Sequence, residues 1–216
     1  MPDYTAPDFE RSALIIADVQ NDFALPGAPA EMPGTMKVIP NIQRLANVYR
    51  HYHRPVVHVV RLYLADGSNA ELCRKDDFEK GRAVVVPGTE GAEIVRDLKP
   101  TADTRLDADL LLSGEFQEIG EKEWIVYKPR WGAFYQTILE SRLRKLDVNT
   151  LAFAGCNFPN CPRTTIYEAG ERDFRIAMAE DAVSGLYDRG VQEMRGIGVH
   201  VMSTQSILDA LMDIFH

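Results

Sequence analysis

Short apolar runs rich in β-branched residues alternate along this chain with segments of helical periodicity. This alternation is typical of a parallel sheet covered by helices on both faces. It predicts a three-layer, Rossmann-like α/β fold with about six mostly parallel strands, in one domain spanning residues 1–216. The predicted strands are Ser12–Val19, Val56–Leu62, Trp124–Lys128, Thr150–Gly155, Ile176–Ala179 and Val199–Met202. The clearest predicted helices are Met36–His53, Gln136–Leu146, Arg163–Asp173, Arg189–Gly196 and Thr204–Phe215.

The middle of the chain is less regular. Residues 66–82 are charged and loop-like, with a helix predicted over Ala70–Glu79. Val84–Val86 is interpreted as a short strand, and Ala92–Leu98 as a short helix after a glycine-containing turn.

Charge and cysteine content exclude several classes of protein. The formal net charge is −8 and the pI about 5.2, which argues against nucleic-acid binding because that requires a basic face. Three cysteines do not make a disulfide framework and indicate a reducing compartment. The first residues lack a basic region followed by an apolar stretch, and no apolar run could span a membrane. We therefore expect a cytoplasmic protein with no membrane partner.

Three reactive side chains follow predicted strands. Asp18 lies near the end of the first strand, Lys128 ends the strand that begins at Trp124, and Cys161 follows the Thr150–Gly155 strand by a six-residue turn. Sites in open α/β sheets lie outside the carboxyl ends of the strands, so we expect the three to share one edge.

These residue types together predict nucleophilic catalysis. Cys161 opens a helix, with Pro162 in the first turn, and a helix N-terminus is expected to lower the thiol pKa. Asp18 can take the thiol proton and return it to a leaving amine. Lys128 can keep Asp18 ionised or polarise the substrate. Backbone N–H groups of Cys161 and of the Cys156–Asn160 turn can bind an oxyanion.

Four segments carry a resemblance to the isochorismatase-like cysteine hydrolase superfamily, in particular to its N-carbamoylsarcosine and ureide amidohydrolases. They are ALIIADVQND from Ala13, KPRWGAF from Lys128, FAGCNFPNCPRTTIYEAGERD from Phe153, and the pair Asp181-Ala182. The resemblance implies an Asp18–Lys128–Cys161 triad. It also implies a cis peptide at Cys156–Asn157, with the N–H groups of Asn157 and Cys161 as the oxyanion hole.

The chain also departs from the superfamily's pattern. Residues 61–69, RLYLADGSN, contain no histidine where relatives of the nicotinamidase branch have an Asp-x-His metal site, so we expect neither metal nor other cofactor. The turn CNFPN is bulkier than usual, which indicates a specialised pocket. Arg130 is a candidate for a salt bridge outside that pocket. Residues in or beside the expected loops are candidates for substrate contact: Phe23, Arg61, Asn69, Trp131 and Phe158.

The sequence thus predicts hydrolysis of an amide, carbamoyl or ureido C–N bond in a small molecule, through a Cys161 thioester and with release of ammonia or an amine. The resemblance implies a homodimer or homotetramer. Two alternatives stay open. One is an isochorismatase-type vinyl-ether hydrolase that needs Asp18 and Lys128 but not Cys161. The other is a receiver-like signalling module, which also has acidic residues after its first strand and a Lys-Pro pair.

Overall fold

A computed structural model describes residues 3–215. Within that range the strands are β1 Ser12–Ala17, β2 Val56–Val60, β3 Gln117–Gly120, β4 Glu123–Tyr127, β5 Thr150–Gly155, β6 Arg175–Val183 and β7 His200–Met202. They form one sheet in the order β3-β4-β2-β1-β5-β6-β7. The helices are α1 Asn21–Ala24, α2 Thr35–His51, α3 Lys75–Glu79, α4 Ala108–Leu112, α5 Leu139–Lys145, α6 Cys161–Gly170, α7 Asp188–Gly196 and α8 Thr204–Phe215.

Strands β1, β2, β4, β5, β6 and β7 are parallel, and only β3 runs antiparallel to its neighbour. Every residue of β1, β2 and β5 is buried, as expected for central strands that carry helices on both faces. Because these strands run in one direction, the residues that follow them meet at one edge of the sheet. This architecture confirms the predicted α/β fold class.

A separate hydrophobic core lies on each face of the sheet. One core contains Ile42 and Leu45 of α2 together with Ile207 and Leu211 of α8. The other contains apolar residues of α5, α6 and α7, namely Leu139, Leu143, Ile166, Ala169 and Met194. The two cores account for the helical periodicity of these segments, since each helix buries one apolar stripe.

The structure corrects several details of the predicted elements. The edge strand β3 was not predicted, because its QEIG sequence has no apolar alternation. Val84–Val86 forms no strand, and 92–98 is not one continuous helix: the 3₁₀ turns Glu90–Ala92 and Arg96–Leu98 are separated by three non-helical residues. In the charged segment, the predicted helix is a 3₁₀ turn, Leu72–Arg74, followed by α3.

A buried ionic cluster joins α2, β2 and β4. Glu123 accepts hydrogen bonds from Arg50 Nε and Nη2 at 2.8 and 2.7 Å, and its Oε1 lies 2.6 Å from His58 Nε2. Burial would raise the pKa of Glu123, but the bonds from Arg50 and His58 lower it to about 2. This carboxylate is therefore ionised and fully engaged within the core.

Among residues 3–215, no helix is both long and apolar enough to cross a lipid bilayer.

Candidate active site

The structure brings together the three reactive side chains that the sequence singles out. Asp18 directly follows β1, Lys128 directly follows β4, and Cys161 is the first residue of α6. The Lys128 Nζ atom lies 3.0 Å from Asp18 Oδ2 and 3.3 Å from Cys161 Sγ. An ammonium group thus contacts both the carboxylate and the sulfur of this Asp18–Lys128–Cys161 triad.

The backbone around Asp18 allows this close approach. Asp18 has a φ of 52°, and its N–H donates to the Val59 carbonyl at 2.8 Å. On the neighbouring strand β5, Gly155 has a φ of +122°, where a Cβ atom would lie 2.3 Å from the Ala17 carbonyl oxygen. Only glycine fits at that position, so β1 and β5 can end side by side beneath the site.

The Asp18–Lys128 ion pair is buried, and the Asp18 carboxylate has few other partners. The two side chains are 4% and 1% exposed. Apart from the ion pair, neither carboxylate oxygen of Asp18 has a hydrogen-bond partner among the described residues. Burial would lower the pKa of Lys128, but the charges of Asp18 and Cys161 outweigh it and raise that pKa. Lys128 therefore stays cationic, while Asp18 keeps oxygen lone pairs available for a proton.

Cys161 rests as a thiol. Burial and the negative charge of Asp18 raise its pKa to about 12, although Lys128 acts in the opposite direction. The sequence-based expectation of a lowered thiol pKa is therefore wrong, because burial and the neighbouring carboxylate raise it. A thiol with this pKa requires a base, and Asp18 is the adjacent one.

Two backbone N–H groups remain available beside the sulfur. The Cys156–Asn157 peptide is cis, as the resemblance implies. Neither the Asn157 N–H nor the Cys161 N–H has an acceptor among the described residues, whereas the Phe158 N–H donates to the Ser184 carbonyl at 2.8 Å. The two free donors flank the loop that leads into α6, so they are suited to a developing oxyanion.

The triad opens into a narrow, partly enclosed cavity. Of the predicted substrate contacts, Phe23, Arg61 and Trp131 line this cavity. Phe23 and Arg61 are buried, whereas Trp131 is 39% exposed and lies at the cavity mouth. The full lining is Asp18, Phe23, Met32, Arg61, Tyr63, Glu71, Arg74, Lys128, Trp131, Cys156, Asn157, Asn160 and Cys161.

Two predicted contacts lie outside this lining. The Asn69 side chain is engaged with the chain itself, because its amide donates to the Leu62 carbonyl and its Oδ1 accepts from the Leu64 N–H. Phe158 is completely buried and packs in the core against Tyr187, with ring centroids 5.5 Å apart. Both side chains support the loops around the cavity, and neither is positioned to contact a substrate.

Arg130 also lies outside this cavity, and among residues 3–215 it forms no salt bridge, contrary to the sequence-based expectation. Its Nη1 atom donates to the backbone carbonyls of Pro129 and Asn69.

The sequence did not lead us to expect Tyr63, Glu71 and Arg74 in the lining of the cavity. These residues lie in or next to the segment interpreted as a charged loop. The signal was the apolar and aromatic residues interspersed with its charges, which indicate a partly buried segment. Ala70 and Glu71 are in fact buried, and Phe78 packs on Tyr63 with centroids 4.9 Å apart.

Within residues 3–215, no group of three or more His, Cys, Asp or Glu side chains is arranged to hold a metal ion. The segment compared above with the Asp-x-His metal site begins at Arg61. Its guanidinium Nε lies 3.3 Å from Glu71 Oε1, so an internal ion pair occupies this side of the cavity.

Comparison with known proteins identifies the family. The model of the isochorismatase domain matches residues 12–107 and 112–206. This chain belongs to the isochorismatase family. A solved structure of an isochorismatase family protein from Desulfovibrio vulgaris subsp. vulgaris str. Hildenborough is 34% identical, with a TM-score of 0.79, over 94% of this chain and 98% of that one.

Two further relatives are similar to this chain over most of its length. A probable inactive nicotinamidase of Arabidopsis thaliana is 30% identical over 200 residues, which cover 90% of this chain and 93% of the relative. An N-carbamoylsarcosine amidase of Arthrobacter sp is 26% identical over 208 residues, 93% of this chain and 72% of the relative. Family membership confirms the resemblance and makes the chain an isochorismatase-family hydrolase. The receiver-like alternative is incompatible with it.

Proposed function

We propose that this isochorismatase-family hydrolase cleaves a non-peptide amide, carbamoyl or ureido C–N bond through a Cys161 thioester. The observation that carries the proposal is the contact of Lys128 Nζ with both Asp18 Oδ2, at 3.0 Å, and Cys161 Sγ, at 3.3 Å. Vinyl-ether hydrolysis does not need a thiol at that position. Family relatives that are named as amidases support the same choice of bond.

In the acylation half-reaction, Asp18 takes the thiol proton of Cys161 and the sulfur attacks the substrate carbonyl carbon. Lys128 stabilises the developing thiolate, since its ammonium lies 3.3 Å from the sulfur. The free N–H groups of Asn157 and Cys161 receive the carbonyl oxygen as it becomes an oxyanion. The C–N bond then breaks, and Asp18 returns its proton to the leaving nitrogen, which departs as ammonia or an amine.

In the deacylation half-reaction, water enters the position that the leaving nitrogen has vacated. Asp18 takes one proton from this water while its oxygen attacks the thioester carbonyl. The C–S bond breaks and the proton returns to the sulfur, which restores the thiol. The high pKa of Cys161 favours this last step, because the thiolate is reprotonated readily.

The narrow cavity at the triad favours a small-molecule substrate over a polymer. The roles of the triad and oxyanion hole, the cytoplasmic location and the homodimeric or homotetrameric state remain predictions. The proposed chemistry uses only groups of the polypeptide, so exhaustive chelation should leave turnover unchanged. Activity that disappears with a chelator and returns with Zn²⁺ would contradict this.

A screen for ammonia release tests the proposal. Amides, N-carbamoyl amino acids, ureides and biuret-like compounds are incubated with the wild-type protein and with Cys161→Ala. We expect at least one compound to release ammonia with the wild type only. Hydrolysis of a vinyl ether that survives in Cys161→Ala, with no amide turned over, would favour the isochorismatase-type alternative.

A further inference from the structure

The lining of the cavity carries an unbalanced positive charge. Five ionisable carboxylate, lysine or arginine side chains line the cavity: two carboxylates and three cations, namely Asp18, Glu71, Arg61, Arg74 and Lys128. Lys128 pairs with Asp18 at 3.0 Å, and Arg61 pairs with Glu71 at 3.3 Å. The charge of Arg74 is therefore left over.

Arg61 is not the group that a ligand would meet. Besides Glu71, it donates to the carbonyls of Leu62 and Asn69, both at 2.7 Å, and to the Tyr127 hydroxyl at 2.9 Å. Its side chain is 2% exposed. These hydrogen bonds fix the Arg61 side chain, so it stabilises the residues that line the cavity and is not free to bind substrate.

Glu71 is likewise engaged. It accepts hydrogen bonds from Arg61 and from the Tyr63 hydroxyl, the latter at 2.7 Å. Burial would raise the pKa of Glu71, but Arg61 and Tyr63 lower it below its ordinary value. Glu71 is thus a carboxylate already held by two donors, and it offers Arg74 only a distant contact.

The Arg74 side chain donates no hydrogen bond within the described residues, although its backbone N–H donates to the Glu71 carbonyl at 2.9 Å. Its Nε atom is buried without a partner, and the nearest carboxylate oxygen, Glu71 Oε2, is 4.0 Å away. The side chain is 24% exposed and lines the cavity. A buried N–H group without an acceptor is costly, and a planar guanidinium matches a carboxylate with two parallel bonds.

We infer that Arg74 binds a carboxylate of the substrate, so that the preferred substrates are amide or carbamoyl compounds bearing an anionic group. This inference rests on the proposed function for the reacting end of the molecule. The carboxylate end is held by Arg74 while the scissile carbonyl lies at Cys161, since both residues line one cavity. Arg74 is then a specificity-determining residue of the proposed reaction.

Alkylation of Cys161 by a matched pair of reagents tests this without knowledge of the substrate. Iodoacetate carries a carboxylate, and iodoacetamide is its neutral isostere. The rate of each is followed at the Cys161 peptide by mass spectrometry, which separates it from Cys73 and Cys156. The iodoacetate-to-iodoacetamide rate ratio is compared among wild type, Arg74→Gln and Arg74→Lys, so the intrinsic reactivities cancel.

We expect the ratio to fall about tenfold in Arg74→Gln, which corresponds to the loss of one charge-assisted contact. Arg74→Lys keeps the positive charge and should give a ratio between those of wild type and Arg74→Gln. It also serves as a control in case Arg74→Gln misfolds. Arg105→Gln removes a positive charge outside the cavity and should leave the ratio unchanged. A ratio within twofold of wild type in Arg74→Gln would overturn the inference.

The result is independent of the proposed function because alkylation needs no turnover. A lowered ratio supports the anion site even if no amide is hydrolysed. Amide hydrolysis together with an unchanged ratio rejects the anion site and leaves the proposed function standing.

Discussion

Two buried carboxylates lie at opposite ends of β4 and β1, the two strands that flank β2, and their surroundings differ. Glu123, at the start of β4, accepts two hydrogen bonds from Arg50 and lies 2.6 Å from His58 Nε2. The carboxylate of Asp18, after the end of β1, has the Lys128 ion pair and no hydrogen-bond partner among the described residues. Both are almost fully buried, so burial alone does not distinguish them.

The difference separates a structural carboxylate from one equipped for proton transfer. Glu123 has no oxygen free for a proton, and breaking its bonds would leave Arg50 and His58 without their partner. Asp18 is paired with one ammonium, and that ammonium also contacts a thiol whose pKa is raised by burial. We therefore expect isosteric substitutions in the two clusters to have opposite consequences, one for turnover and one for stability.

The largest expected effect is that of Asp18→Asn on turnover. General acid–base catalysis contributes about 10²–10⁴-fold, so activity should fall by at least this factor. Cys161 should still be alkylated by iodoacetamide at least as fast as in wild type. Lys128 remains beside the sulfur, and the negative charge that raises the thiol pKa is gone. Near-normal turnover would remove Asp18 from the mechanism.

Lys128→Met should lower turnover by about 10²-fold at neutral pH, because a buried carboxylate without its counterion takes up a proton and is a poorer base. Its residual activity should increase as the pH is raised. Lys99→Met is the matched control: Lys99 is also buried, 2.8 Å from Glu93, but lies outside the cavity. Lys99→Met should lose stability and keep its pH–rate profile. A Lys128→Met profile parallel to wild type would make Lys128 structural.

Glu123→Gln should lower the free energy of unfolding by roughly 3 kcal/mol and leave turnover of the folded protein nearly unchanged. The folded-state pKa of Glu123 is about 2, against 4.5 in the unfolded chain. Its stabilisation is therefore complete above pH 4.5 and is lost as the pH falls towards 2. Urea unfolding between pH 3 and 7 should show a weaker pH dependence in Glu123→Gln. An unchanged dependence would show that Glu123 is not the group involved.

Much of the fold could be predicted because the central strands are buried on both faces and carry uninterrupted apolar runs. The same rule placed Asp18, Lys128 and Cys161 at one edge of the sheet. The edge strand β3 could not be predicted, because only one of its sides is paired and its sequence is polar. A strand of this kind is specified by its neighbour rather than by its own composition.

The electrostatic state of the site could not be predicted from local sequence. The position of Cys161 at a helix N-terminus indicated a lowered pKa, but the sign depends on Asp18, which lies 143 residues away in the chain. The same holds for Phe158, whose loop position indicated a substrate contact. Its ring instead packs against Tyr187, a residue brought near only by the fold.

The central claim is that Cys161, and not its neighbour Cys156, is the nucleophile. Both cysteines line the cavity. Cys161 Sγ accepts a hydrogen bond from Lys128 Nζ, whereas Cys156 Sγ donates to the Asp18 backbone carbonyl at 3.2 Å. The most direct measurement compares turnover of Cys161→Ala and Cys156→Ala on a substrate found in the ammonia-release screen. We expect no detectable turnover in Cys161→Ala and a measurable fraction in Cys156→Ala. Activity that survives in Cys161→Ala, or equal and complete loss in both variants, would contradict the account.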